Sequence, residues 1–350
     1  LGTAMNVLPL NEMGALPTMN LKSNRFDLAE EISGEKLADG FLGRRVACSH
    51  CPVACIHIAA LREPYVDEPY FYKTTMIGYD YEPIYSLGSM LGVGKADKWL
   101  KLMDEVENWG MDAMSTGVVL AWTTEAFERG LISEEETLGL RPNWGDSRTY
   151  REMIRLIVKQ PNQFYRDLAM GVEHASRVYG GSDFALSFGG NEMPGYHTGP
   201  LAHVTYLTGA RHSHLDSAGY SYDEKYAKEG RLPDPKEAAE KLAEEEAWRQ
   251  ILASLVVCFF ARKVYSEEVV LEGLKVIGLD YTESDLKRLG MEILKVKHEY
   301  KLAEGFDPEK LRIPKRIFET STPHGRVSED YVREAIKSYF DLVLGSSGGR

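Results

Sequence analysis

Apolar positions recur at three- and four-residue spacing through most of the chain after residue 90, and that period predicts helices. Between 94 and 108, Trp99, Leu100, Met103 and Val106 fall on one face. A second helix is expected over 113–129, with Ser115 and Thr116 as candidate N-caps and Gly130 just past its end, where a left-handed cap belongs. Two more amphipathic stretches, about 149–159 and 162–178, lead to the Gly180-Gly181 pair. Beyond it the pattern repeats in a long helix over about 235–262 and in helices at 266–277, 282–304 and 328–343. The first 25 residues are punctuated by Gly and Pro and read as an extended lead-in. Leu28, Ile32, Leu37 and Phe41 suggest short helical turns over 26–41, whereas residues 56–78, aromatic and Pro-containing, show no clear period. Strand-type alternation is scarce, so the expected fold class is all-α and multihelical, with any sheet confined to short ribbons near 182–207. The double glycine and the loop-like stretch to Pro200 mark a domain boundary, giving helical domains 1–181 and 182–350.

Composition narrows the partners. A chain of 350 residues is long enough for two cores. Its net charge of −12 argues against nucleic acid or an anionic membrane, since neither attracts an acidic surface. The longest apolar run, 251–261, is about half the length a bilayer demands and contains Ser254, so no transmembrane helix is expected. That run must be the buried half of the long helix, which would carry Cys258 inward. The acidic run Glu244, Glu245 and Glu246 before it reads as a solvated face. No basic leader precedes an apolar core at the start. Beginning at Leu1 in turn-rich sequence, the chain reads as the C-terminal part of something longer.

Chemistry concentrates in CSHCPVAC, where Cys48, Cys51 and Cys55 form a C-x2-C-x3-C loop; the fourth cysteine, Cys258, lies far downstream in ILASLVVCFF. A cubane iron–sulfur cluster takes four cysteine ligands, and three on one loop with a distant fourth is a common supply. A structural zinc site usually pairs two C-x2-C knuckles and fits this arrangement poorly; buried spectator thiols are the remaining reading. Cluster ligands imply a reducing compartment, most simply the cytoplasm.

Glu82, with Tyr81 beside it in GYDYEPIYSLGSMLGV, is a carboxylate among aromatic and apolar residues. It is a candidate general acid or base with a raised pKa, or a helix-start carboxylate bonded to backbone N–H groups. His212 and His214, in TGARHSHLDSAGY, titrate near neutrality, but residues at i and i+2 do not share a helix face, and a solvated or core-satisfied histidine is the plainer reading. Asp112, in ENWGMDAMSTG, precedes a Ser-Thr-Gly helix start that could hold an anion or a polar ring edge. No Walker loop, G-x-G-x-x-G or G-x-S-x-G occurs, which removes the common nucleotide and acyl-transfer readings.

Taken together, the chain resembles the tungsten-containing aldehyde ferredoxin oxidoreductases over nearly its whole length. The segments that carry the likeness are GTAMNVLPLNEMGALPTMN, CSHCPVAC, YEPIYSLGSMLGV, WGMDAMSTGVVLAW with ERGLIS behind it, EMPGYH and LVVC, in the family's order and spacing. The resemblance implies the family's two helical domains, the N-terminal pterin-binding domain being absent from this chain and expected as a partner within the same protein. It further implies tungsten (or molybdenum) held by two pterins, and a [4Fe-4S] cluster passing electrons to ferredoxin or an iron–sulfur subunit.

Carried over by position, Cys48, Cys51, Cys55 and Cys258 would ligate the cluster, and Glu82, with Tyr81, would fall at the catalytic glutamate. One of His212 and His214 would be the active-site histidine, His214 being favoured by the Leu215 that follows it. The family's pterin pattern D-x-x-G-L-D/C reads Glu107-Asn108-Trp109-Gly110-Met111-Asp112 in its first copy and Ala253-Ser254-Leu255-Val256-Val257-Cys258 in its second. Glu107, Gly110, Met111, Asp112 and Val257 are therefore the expected cofactor contacts; Ala253 has no carboxylate to offer. The E-x-x-H element that holds an iron between subunits in some members has no counterpart, so that dimer is not implied and homo-oligomerisation stays open. The H-S-H-L-D segment and the long insertion between Cys55 and Tyr81 mark a divergent branch. The expected reaction interconverts a small aldehyde and its acid. Reduction of another acceptor, such as an aromatic acyl-CoA, and a cluster-bearing scaffold without a pterin are the alternatives.

Overall fold

Helix dominates the computed structural model, which describes residues 1–68 and 70–345. The first elements are α1 (Val7–Met13), α2 (Gly34–Gly40), β1 (Leu42–Val46), β2 (Ile56–Pro64) and β3 (Tyr72–Tyr79). They are followed by α3 (Tyr81–Leu87), α4 (Ala96–Trp109), α5 (Ala113–Glu128), α6 (Ser147–Lys159), α7 (Gln163–Leu168) and α8 (Val172–Tyr179). After a ribbon of β4 (Ser187–Phe188) and β5 (Asn191–Glu192) come α9 (Pro200–Thr208), α10 (Gly219–Glu229), α11 (Pro235–Ser254), α12 (Glu267–Val276) and α13 (Glu283–Ala303). The short α14 (Arg316–Glu319) and the long α15 (Glu329–Leu344) complete the described chain.

Two compact units result: residues 1–197 with 313–326, and residues 198–312 with 327–350. The break expected at 181/182 lies inside the first unit. The stretch after it is tied there by hydrogen bonds, among them Tyr85 Oη to the Met193 carbonyl at 2.9 Å.

In the first unit, α3 and α5 pack directly on one another. Their crossing is close because Gly117 faces Ser86, and a Cβ at Gly117 would lie 2.2 Å from the Ser86 carbonyl oxygen. Asp112 is the N-cap of α5, accepting from the Ser115 N–H at 2.6 Å, so neither Ser115 nor Thr116 fills that position. The helix expected over 162–178 is two, α7 and α8, because the chain turns through Gly171 at φ 90°.

The principal correction concerns residues 42–79. The strands at 42–46, 56–64 and 72–79 form an antiparallel three-stranded sheet in the order β1-β2-β3, outside the region where sheet was expected. In the expected region only the β4–β5 ribbon forms; 200–208 is the helix α9, buried at every position.

In the second unit, α11 packs against both α13 and α15. Those neighbours cover its middle, so Glu246 is fully buried instead of solvated. It accepts from the Tyr339 hydroxyl and from the Ala210 N–H at 2.8 Å. The long helix stops at Ser254, short of the expected Arg262, and Val256 turns the chain with φ 57°. Cys258 beyond that turn is exposed, contrary to the inward placement expected of it.

Candidate functional site

The cysteine loop is the connection between β1 and β2, closed at its base by the register pair Val46–Ile56. Inside it the Cys51 N–H donates to the Cys48 carbonyl at 3.0 Å, and His50 and Ala54 take left-handed conformations at φ 60° and 50°. The His57 ring, 4% exposed and 5.5 Å from the Tyr79 ring, sets Nδ1 3.0 Å from the Cys55 carbonyl oxygen, which fixes the C-terminal end of the loop. Cys48 is exposed; Cys51 and Cys55 are half-buried. Among the described residues no three His, Cys, Asp or Glu side chains converge on a single ion. A cubane binds each thiolate through a different iron, so its sulfurs need not converge as those of a lone zinc must. Three soft thiolates on one short, anchored loop fit such a cluster. Cys258 and Val257 belong to the second unit.

Glu82 sits in the first turn of α3, whose N-cap is Asp80, the acceptor of the Glu82 N–H at 3.1 Å. The Glu82 side chain reaches elsewhere: its Oε2 accepts from the Gly195 N–H at 3.0 Å. Tyr81 donates its hydroxyl to the carbonyl of the same Gly195, so that residue is held by both its N–H and its C=O. Only glycine fits there, since a Cβ would lie 2.8 Å from both the Tyr81 and Tyr85 rings. The Tyr196 ring packs 5.0 Å from the Tyr81 ring. Burial pushes the Glu82 carboxyl up to about 8, the Gly195 bond opposing and the Asp80 charge adding to the rise. The group holds its proton at neutrality and releases it just above.

Met111 and Asp112 line a cavity of about 460 Å³ together with Ser115, Thr116, Gly171 and Glu192. Glu192 is fixed in its wall by the Ser115 hydroxyl at 2.7 Å and the Val172 N–H at 3.0 Å. Glu107 and Gly110 are exposed at the end of α4, where Gly110 adopts φ 65°. The cavity lining mixes its polar groups with Val119, Ile157 and Leu168.

In the second unit His212 and His214 lie between α9 and α10. His212 is 5% exposed, with Nδ1 2.8 Å from the Tyr206 carbonyl oxygen and Nε2 2.8 Å from Lys301 Nζ. That pairing makes Nδ1 the protonated nitrogen and Nε2 the acceptor. Burial and then the Lys301 charge lower His212 to about 4; burial likewise lowers Lys301 to about 8. His214 is half-buried, edge-on to Tyr220 at 6.3 Å, and burial lowers it to about 4 against the opposing pull of Asp216. Both imidazoles are thus neutral at pH 7. Gly195, Asp80 and Lys301 were not singled out from the sequence. Gly195 lies inside EMPGYH and Asp80 just before Tyr81, so both stood within segments already marked; nothing local signals Lys301.

The sequence profile described as "Aldehyde ferredoxin oxidoreductase, domains 2 & 3" matches residues 1–343. The tungsten-containing aldehyde ferredoxin oxidoreductases of Thermococcus kodakarensis and Pyrococcus furiosus are 27% and 28% identical to this chain, over all of it and 58% of each relative. An aliphatic sulfonate oxidoreductase, WOR-like subunit, of Pyrococcus furiosus is 25% identical over 84% of this chain and 46% of its own length. Among solved structures, the active-site complex BamBC of benzoyl coenzyme A reductase with 1,5-dienoyl-CoA superposes with a TM-score of 0.72 at 17% identity, covering 95% of this chain and 55% of that one. The chain thus spans 58% of the length of the aldehyde ferredoxin oxidoreductases it matches. No described helix is long and apolar enough to cross a membrane.

Proposed function

The chain belongs to the aldehyde ferredoxin oxidoreductase family, as its domains 2 and 3, and from that premise we propose that the whole protein oxidises an aldehyde to its carboxylic acid. The observation that carries the reading is the Glu82 carboxyl, clamped on the Gly195 peptide and poised near neutrality. As carboxylate, Glu82 takes a proton from water as it adds to the carbonyl carbon. His214, assigned by position, donates from its neutral ring to the carbonyl oxygen as charge develops there. The resulting hydrate loses two electrons and two protons to become the acid, and the two electrons leave singly to ferredoxin or an iron–sulfur subunit. When bound, a tungsten bis-pterin supplies the two-electron step and a [4Fe-4S] cluster the one-electron exit. Cys48, Cys51, Cys55 and Cys258 would hold the cluster, while Glu107, Gly110, Met111, Asp112 and Val257 would face the pterins. The protein's own part is to position the carbonyl, exclude water and move protons.

The test uses the full-length protein prepared without oxygen, offered a series of aliphatic and aromatic aldehydes with benzyl viologen as acceptor. Aldehyde-dependent reduction, with one acid formed per two viologens, is the expected result. Reduction by none of the aldehydes in a metal-replete preparation would overturn the reaction.

A further inference from the structure

The sheet that carries the cysteine loop buries one face and leaves the other open. Directly paired residues share a face, so the register sorts the side chains. His57, Ala59, Leu61, Ile77 and Tyr79 point inward and are buried. Val46, Ile56, Ile58, Ala60, Met76 and Tyr72 share the outer face. Of these Ile56, Tyr72 and Met76 are 41%, 58% and 51% exposed. A contiguous apolar surface of this kind marks a place where another body binds.

Its charge says what kind of body. Arg44, opposite Ile58, and Arg62, opposite Thr74, stand among the apolar residues of the outer face. Both are exposed, and among the described residues neither joins an ion pair. The strand residues of that face include no carboxylate: Glu63 points to the other side, where Lys101 pairs with it. On a chain of net charge −12, an apolar strip studded only with cations selects an acidic partner. The strip ends at Val46 and Ile56, the pair that opens the cysteine loop, and Val53 within that loop is itself 54% exposed.

From this placement we infer that the outer face of β1-β2-β3 is the docking surface for a small acidic iron–sulfur protein. The inference rests on the proposed function for the source of the electrons alone. Each oxidised carrier takes one electron at the cysteine loop and departs reduced, so two carriers dock in turn for every aldehyde oxidised. The two arginines steer the encounter, and the apolar strip supplies a contact of the modest size suited to rapid release.

The experiment compares the full-length protein with its Arg44→Glu/Arg62→Glu double variant, and with the milder Arg44→Gln/Arg62→Gln pair. The probe is a purified acidic [4Fe-4S] ferredoxin, titrated calorimetrically at low and at moderate salt. Wild type is expected to bind with a Kd that rises with salt, the glutamate variant at least tenfold more weakly and the glutamine variant in between. Aldehyde-dependent viologen reduction should stay within twofold of wild type, since a small dye needs no docking face. An equal Kd in all three proteins, or no binding by wild type, overturns the assignment. Loss of viologen reduction together with lowered thermal stability in both variants also overturns it, because the face would then pack against the rest of the same polypeptide. The binding measurement needs no turnover, so it decides the surface even where no aldehyde is oxidised; the dye assay decides the reaction.

Discussion

Glu82→Gln in the full-length protein is expected to lower kcat for aldehyde oxidation by about 10²- to 10⁴-fold, the usual loss when a positioned acid–base group is removed, with iron and tungsten content unchanged. The amide can still accept the Gly195 N–H, so the clamp on that peptide survives. It also removes a buried carboxyl whose ionisation the surroundings oppose, so the melting temperature should not fall. The pH profile supplies an independent check. A base must be ionised to act, and burial raises the Glu82 carboxyl to about 8; kcat/KM should therefore climb with pH through an inflection near 8 and level off above it. Steady-state rates from pH 6 to 9, metal analysis and thermal melts of both proteins read these four effects. Full activity in the variant would remove the proposed role.

The second large effect is on stability. Arg316 reaches from the returning segment 313–326 into the first unit, where its guanidinium pairs with Glu125 at 2.5 Å and donates to the Asn20 carbonyl at 3.0 Å. The Glu125 side chain is 1% exposed and is shared with Arg129 and Asn20. Both guanidinium groups lie over the Phe184 ring, at 4.4 Å for Arg129 and 5.9 Å for Arg316. Removing one member of a buried pair costs about 3–5 kcal/mol when the other charge is left alone; Arg129 stays on Glu125, so the loss of Arg316 falls at the lower end of that range. Arg316→Ala should accordingly lower the unfolding free energy by that amount and expose 313–326 to limited proteolysis, whereas Arg333→Ala, on the surface of α15, should change neither. Denaturant unfolding of the full-length variants measures it, and an unchanged midpoint for Arg316→Ala would contradict the clamp.

How much of this could be read from the chain follows from where each side chain points. The helices with one wet face, such as α4 and α6, announced themselves by period. α9 did not, because all nine of its residues from Pro200 to Thr208 are buried and no polar face alternates with an apolar one. The sheet at 42–79 escaped for a related reason. β2 reads Ile56, His57, Ile58, Ala59, Ala60 and Leu61, apolar on both faces, so no period of two emerges. The outer-face positions Ile56, Ile58 and Ala60 carry no polar group that would have exposed the alternation.

The candidate site divides in the same way. The cysteine loop and the Tyr81-Glu82 pair stand out in the sequence as local motifs. Partners that depend on a long-range contact do not: Gly195 meets Glu82 across more than a hundred residues of chain, and Lys301 meets His212 from α13. The run after Ile251 misled for a physical reason of its own. Hydrophobicity alone predicts burial, yet the helix ends at Ser254 and the residues that follow, Cys258 among them, lie at the surface of this chain.

The most direct test of the account is the metal content of the full-length protein, purified without oxygen from its native source. About four irons and about one tungsten or molybdenum per chain are expected, for one cubane and one bis-pterin centre. Zinc alone, or iron without tungsten or molybdenum, would contradict it.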